Sequence, residues 1–133
     1  MADKLQFDLV APEQRLFSGK VEMVVVPGTE GDFGVLPDHA PFMSTIRPGA
    51  ISVHDENSVT RTFIYGGFAE VTPDGLTILA EEAIALADVD ATQIEKKLGE
   101  AREDLKDSSE EAEQADAQER IDKYESLLAA LAN

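Results

Sequence analysis

The chain has 133 residues, with 27 Asp and Glu against 11 Lys and Arg, a formal charge of −16, two histidines and no cysteine. That length allows one compact domain or a small domain with an appendage, and 43% apolar content is enough for a modest core. A pI near 4.2 repels phosphate backbones and anionic lipid heads, so neither nucleic-acid binding nor direct membrane docking is expected. The missing thiols exclude a disulfide framework, a thiolate zinc site and a cysteine nucleophile.

Met1-Ala2-Asp3-Lys4 runs straight into alternating residues, without a basic or apolar leader pattern, so the chain is expected to begin as mature protein. The apolar stretch Met23 to Val26 is strand-sized, and no apolar run approaches the roughly 20 residues of a spanning helix. No membrane insertion is expected. Alternation with a period of two in Leu5-Gln6-Phe7-Asp8-Leu9 and Val21-Glu22-Met23 predicts half-buried strands, and further strands are predicted at Phe42–Ile46, Ile51–His54, Thr60–Ile64, Phe68–Thr72 and Leu76–Ala80. Pro48-Gly49 and Thr72-Pro73-Asp74-Gly75 are turn signals, because proline presets the first central φ and glycine accepts a positive one. No connection is long enough to hold a crossover helix, so the strands are expected to form an antiparallel β-sandwich or flattened barrel.

Between the strand ending at Val26 and the one beginning at Phe42, residues 27–41 carry three glycines and three prolines and are expected to form a rigid, shaped loop. Neither a Gly-Lys-Ser/Thr sequence nor a helix follows it, so it is not a phosphate cradle. His39 invites a metal or catalytic reading, but only His54 is available to assist it, and histidine metal sites on such folds need two or three. No metal site and no catalytic residue is expected. Ser18, Ser44, Ser52 and Ser58 lack a nucleophile elbow.

Beyond about residue 87 the composition changes. All six prolines, all six phenylalanines and eight of nine glycines lie before it. After Leu86 the period becomes 3.6: Ile94, Leu98, Ala101 and Leu105 line one helical face, and Ile121, Tyr124, Leu127, Leu128 and Leu131 another. The first helix has two overlapping start signals, Asp90 with Gln93 and Thr92 with Glu95; Ser108 with Glu111 is read as a capping box for the second, with Asp107-Ser108-Ser109 as the turn. The helices should be about 25 and 35 Å long and pair as an antiparallel hairpin along an alanine-rich seam. The expected domains are 1–87, β-sandwich, and 88–133, helical hairpin.

Taken together, Pro27-Gly28-x-x-Gly31-x-x-Gly34-x-Leu36-Pro37-x-His39-Ala40-Pro41, then Arg47-Pro48-Gly49, Gly66-Gly67-Phe68-Ala69-Glu70-Val71 and Leu79-Ala80-Glu81-Glu82-Ala83, resembles the epsilon subunit family of the bacterial F-type (rotary) ATP synthase. The resemblance implies a non-catalytic rotor component without a cofactor. Its β-sandwich would bind the gamma subunit of the central stalk and the c-subunit ring, coupling proton flow to ATP synthesis at the cytoplasmic face of the bacterial inner membrane. By similarity, Glu30, Gly31 and Asp32 match the segment that meets the c ring, and His39 and Pro41 an adjoining motif expected to shape the assembly surface.

Family members whose hairpin senses ATP begin the first helix with Ile/Leu-Asp-x-x-Arg-Ala; the matching stretch here is Val89-Asp90-Ala91-Thr92-Gln93-Ile94. Asp90 is retained, but Gln93 stands in place of the arginine, removing a charge-assisted donor to phosphate, so no nucleotide-binding residue is assigned. In the family's inhibitory role the hairpin reaches the alpha/beta catalytic head, with basic residues meeting an acidic segment. Residues 88–133 carry 14 acids against six bases, so like charge opposes that docking and weak or absent inhibition is expected. The alternatives are an ATP-sensing inhibitory regulator of hydrolysis and a free-standing β-sandwich enzyme using His39 with a carboxylate.

Overall fold

The computed structural model describes residues 3–133, and the chain divides into two compact units, 1–87 and 88–133. Eight strands make up the first: β1 (Leu5–Ala11), β2 (Gln14–Val21), β3 (Met23–Gly28), β4 (Gly31–Val35), β5 (Phe42–Thr45), β6 (Gly49–Asp55), β7 (Ser58–Thr72) and β8 (Gly75–Ala85). They hydrogen-bond in the order β2-β1-β8-β7-β6-β3-β4, with β5 on the far half of β7. The sheet is not closed into a barrel. It forms two layers because β7 is long enough to serve both: residues 58–64 pair with β6, and 68–71 with β5.

Thr60–Ile64 and Phe68–Thr72, expected as separate strands, are parts of the single strand β7, with Gly66 and Gly67 inside it. Gly66 bends the strand at φ +70°, and a Cβ on Gly67 would stand 2.2 Å from the Leu79 carbonyl oxygen, so only glycine permits this approach to β8. Not every pair is antiparallel. β1 runs parallel to β8, with Phe7 opposite Leu76 and Val10 opposite Leu79; the connection between them is β2 through β7, so no crossover helix is needed.

Two further strands depart from the sequence reading. β2 was hidden because most of QRLFSGKV is exposed on a sheet edge, where burial imposes no alternation. β4 lies inside the predicted loop, its two glycines masking the alternation of Phe33 and Val35. Alternate residues of the strands fill the core between layers: Phe7, Val24, Val26, Val35, Ile51, Ile64, Leu76 and Ile78 are each at most 1% exposed. The turn at Glu56-Asn57 has positive φ at both residues (48° and 66°), which suits the right-handed twist of the β6–β7 hairpin.

In the second unit, α1 (Ala91–Asp107) and α2 (Glu111–Ala132) form a hairpin. A short 3-10 turn, Leu86–Asp88, precedes α1. Leu98, Ala101 and Ile121 form its core, with Leu105, Tyr124 and Leu128 packed against them; Ala101 and Ala117 are fully buried, which lets the helices approach closely. Of the two start signals for α1, Asp90 prevails: its Oδ1 accepts from the Thr92 amide at 2.9 Å. The expected capping box at Ser108 does not form. Ser108 ends α1, its hydroxyl donates to the Glu113 carboxylate at 3.0 Å, and α2 starts after Glu110 with no side-chain cap bond. Arg120 donates across the seam to Asp104 and along α2 to Asp116, each at 3.1 Å. No helix among the described residues is long and apolar enough to cross a membrane.

Candidate functional site

Glu30, Gly31 and Asp32 come together at the tip of the β3–β4 hairpin, where Gly28 opposes Gly31 and Thr29-Glu30 makes the reversal. The two glycines serve different ends. Gly31 adopts φ +130° with open space where a Cβ would be, so its constraint is purely conformational. At Gly28 a Cβ would lie 2.8 Å from both the Gly31 carbonyl oxygen and the Phe33 ring, so its constraint is steric.

Five contacts hold the tip against the Thr45–Arg47 segment. The Thr29 amide donates to Thr45 O at 3.1 Å, the two threonine hydroxyls meet at 2.9 Å, and the Arg47 amide donates to Pro27 O at 2.9 Å. The Arg47 guanidinium then forks, one nitrogen donating to Gly28 O at 2.7 Å and the other to the Asp32 carboxylate. Phe33 packs edge-on against Phe42, ring centroids 5.1 Å apart, at the root of the hairpin. Arg47 stood out in the sequence only within the Arg47-Pro48-Gly49 motif of the family resemblance; its long-range partners lie 15 and 19 residues away.

His39 and Pro41 lie away from this tip, beyond the other end of β4. Pro37 and Asp38 (φ 64°) turn the chain so that the His39 amide donates to Leu36 O at 3.2 Å. His39 Nδ1 donates to Ala40 O at 2.8 Å, and the ring lines an open concavity with Gln6, Lys20 and the Thr72–Gly75 turn. Pro41 is exposed and leads into β5. His54 sits elsewhere, at the end of β6, where its carbonyl accepts from the Glu22 amide. Among the described residues, no group of three His, Asp or Glu could hold a metal.

Sequence reading missed a second surface. Strand register places Met43 opposite Glu70, Phe68 opposite Leu79, and Leu79 opposite Val10, so Met43, Phe68, Leu79 and Val10 face outward from four adjacent strands. Met43 is 62% exposed, Phe68 36% and Leu79 38%. Beside the stripe, Gly67 and Ala80 leave a concavity between Phe68, Leu79 and Val10. An apolar band of this kind, rimmed by Glu13, Glu70 and Glu81, is the composition of a protein-docking surface.

The family model for the ATP synthase, Delta/Epsilon chain, beta-sandwich domain matches residues 4–86. The ATP synthase epsilon chain of Maricaulis maris (strain MCS10) is 62% identical over 133 residues, covering 100% of each chain. The chain belongs to the ATP synthase epsilon chain family. The epsilon chain of Parvibaculum lavamentivorans is 51% identical over 128 residues, 96% of this chain and 97% of that one. Epsilon chains are non-catalytic stalk subunits of the complex. A solved structure of the Euglena gracilis mitochondrial ATP synthase, OSCP/F1/c-ring, superposes on this chain with a TM-score of 0.84 at 28% identity, covering 98% of this chain and 83% of that one. A Tetrahymena thermophila mitochondrial ATP synthase central stalk and c-ring structure, with a TM-score of 0.69 at 16% identity and 98% of each chain covered, shares the fold.

Proposed function

We propose that this chain is a rotor subunit whose β-unit joins the gamma subunit of the central stalk to the c-subunit ring, transmitting proton-driven rotation at the cytoplasmic face of the bacterial inner membrane. The observation that carries this reading is the outward apolar stripe of Met43, Phe68, Leu79 and Val10, which offers gamma a rigid, preformed seat. Packed β-layers deform little, as a torque-bearing spacer requires. The c ring is met at the hairpin tip by Glu30, Gly31 and Asp32, with His39 and Pro41 shaping the assembly surface beyond it. The likeness to the Euglena mitochondrial ATP synthase OSCP/F1/c-ring structure supports association of this chain with the rotor.

The hairpin's role is weak or absent inhibition. Fourteen acids against six bases in residues 88–133 oppose docking on an acidic part of the head. Asp90 spends its carboxylate on its own helix cap, and Gln93 lies exposed on the first turn, which favours a structural use of this segment over nucleotide binding. The test is purification of the whole enzyme through a tag on this chain, with and without residues 88–133. Gamma and the c ring should copurify in both cases, and ATP hydrolysis should change less than twofold on truncation. Absence of gamma would refute the rotor reading; strong activation would refute the account of the hairpin.

A further inference from the structure

Two acids at the hairpin tip invite the assumption that both are offered to a cationic partner, but their surroundings differ. Asp32 is already paired with Arg47, whose other guanidinium nitrogen holds the Gly28 carbonyl. Thr29 is tied to Thr45. Among the described residues the Glu30 carboxylate has no hydrogen-bond or ion-pair partner, and Glu30 sits exposed in the reversal itself. Of the three polar side chains at the tip, two hold its shape and one is uncommitted.

We propose that the tip divides its labour, Glu30 alone presenting negative charge to a basic group on the partner while Asp32 and Arg47 act as positioning residues that fix the hairpin's shape. This rests on the reading of the tip as the ring contact. The physical ground is the fork: a planar guanidinium that bonds a backbone carbonyl and a carboxylate at once has a defined orientation, which lysine's point charge would lack. The internal pair also lowers the net charge at the tip, so a basic group of the partner meets one free carboxylate.

The experiment uses the assembled enzyme carrying Glu30→Gln, Asp32→Asn, Arg47→Met or Arg47→Lys. Two readouts are followed: retention of this chain on the rotor at low and high ionic strength, and amide hydrogen exchange over residues 28–32. Glu30→Gln should weaken retention roughly two- to fivefold at low salt, the scale of one exposed ion pair. That loss should vanish at high salt, with exchange unchanged. Asp32→Asn and Arg47→Met should speed exchange at the tip and weaken retention at both salt levels while leaving its salt dependence in place, and Arg47→Lys should recover only part. If Asp32→Asn removes the salt-dependent part while exchange stays at the wild-type rate, or if Arg47→Met leaves exchange unchanged, the division of labour is wrong. Faster exchange in both brace variants, with retention unaltered in all four, would instead refute the ring contact and leave the brace standing.

Discussion

Replacing Met43 by serine should separate what the apolar stripe does for folding from what it does for assembly. Met43 is 62% exposed on β5, opposite Glu70. Full burial of such a side chain contributes about 1.5–3 kcal/mol, so with under four-tenths of its surface covered, folding draws on about 0.6–1.1 kcal/mol of that. The remaining, roughly 0.9–1.9 kcal/mol, is available to a partner, which corresponds to about a 5- to 25-fold weaker Kd for gamma. Val59, 53% exposed near the start of β7 and outside the stripe, is the control. Titration calorimetry of gamma against the whole chain, paired with urea denaturation of each variant, reads both quantities. Met43→Ser should lose affinity out of proportion to stability, whereas Val59→Ser should lose only stability. Equal affinities for the two variants, repeated with Leu79→Ser, would refute the assignment of this face.

Gly67→Ala should destabilise the β-unit by about 1–3 kcal/mol in urea denaturation, because its Cβ would press on the Leu79 carbonyl, and β8 is held at that point by β1. Gly99→Ala should do the reverse, raising the stability of the helical unit by up to about 1 kcal/mol, since Gly99 is in α1 and its Cβ would meet nothing within 4 Å. Lys4 bonds Asp55 at 2.8 Å and Glu56 at 3.2 Å, and these hydrogen bonds, Asp55's first, raise its ammonium above the ordinary 10.5. A raised folded-state lysine stabilises the fold below pH 10.5 and loses that contribution as pH climbs through the higher folded value. The stability gap between wild type and Lys4→Met should therefore hold across neutral pH and close above 10.5.

The sequence announced the strands that bury one face and the helices with an apolar stripe, because burial writes a period into the residues. Leu5–Leu9 and Ile94-Leu98-Ala101 are of that kind. It hid β2, whose exposed edge position imposes no pattern, and β4, where Gly31 and Gly34 break up the alternation of Phe33 and Val35. The parallel pairing of β1 with β8 has no local signature at all, since it is set by where the whole intervening chain returns. The tip's composition was legible in Gly28, Glu30, Gly31 and Asp32; its brace was not, because Arg47 reaches it through contacts that exist only after folding. The apolar stripe was invisible for a similar reason. Phe68 and Leu79 read as ordinary strand residues until their register puts them side by side on the outer face.

The chain contains no cysteine, so Glu30→Cys would give it a single thiol at the hairpin tip. Oxidative cross-linking of the assembled enzyme, with cysteines placed singly along the c subunit, is the most direct measurement of the mechanical seat proposed for this chain. An epsilon–c adduct that forms in high yield and leaves proton-coupled ATP synthesis intact, as two parts that turn together require, is the predicted result. A thiol that reacts with soluble maleimide as fast in the enzyme as in the free chain, and cross-links to no ring position, would contradict it.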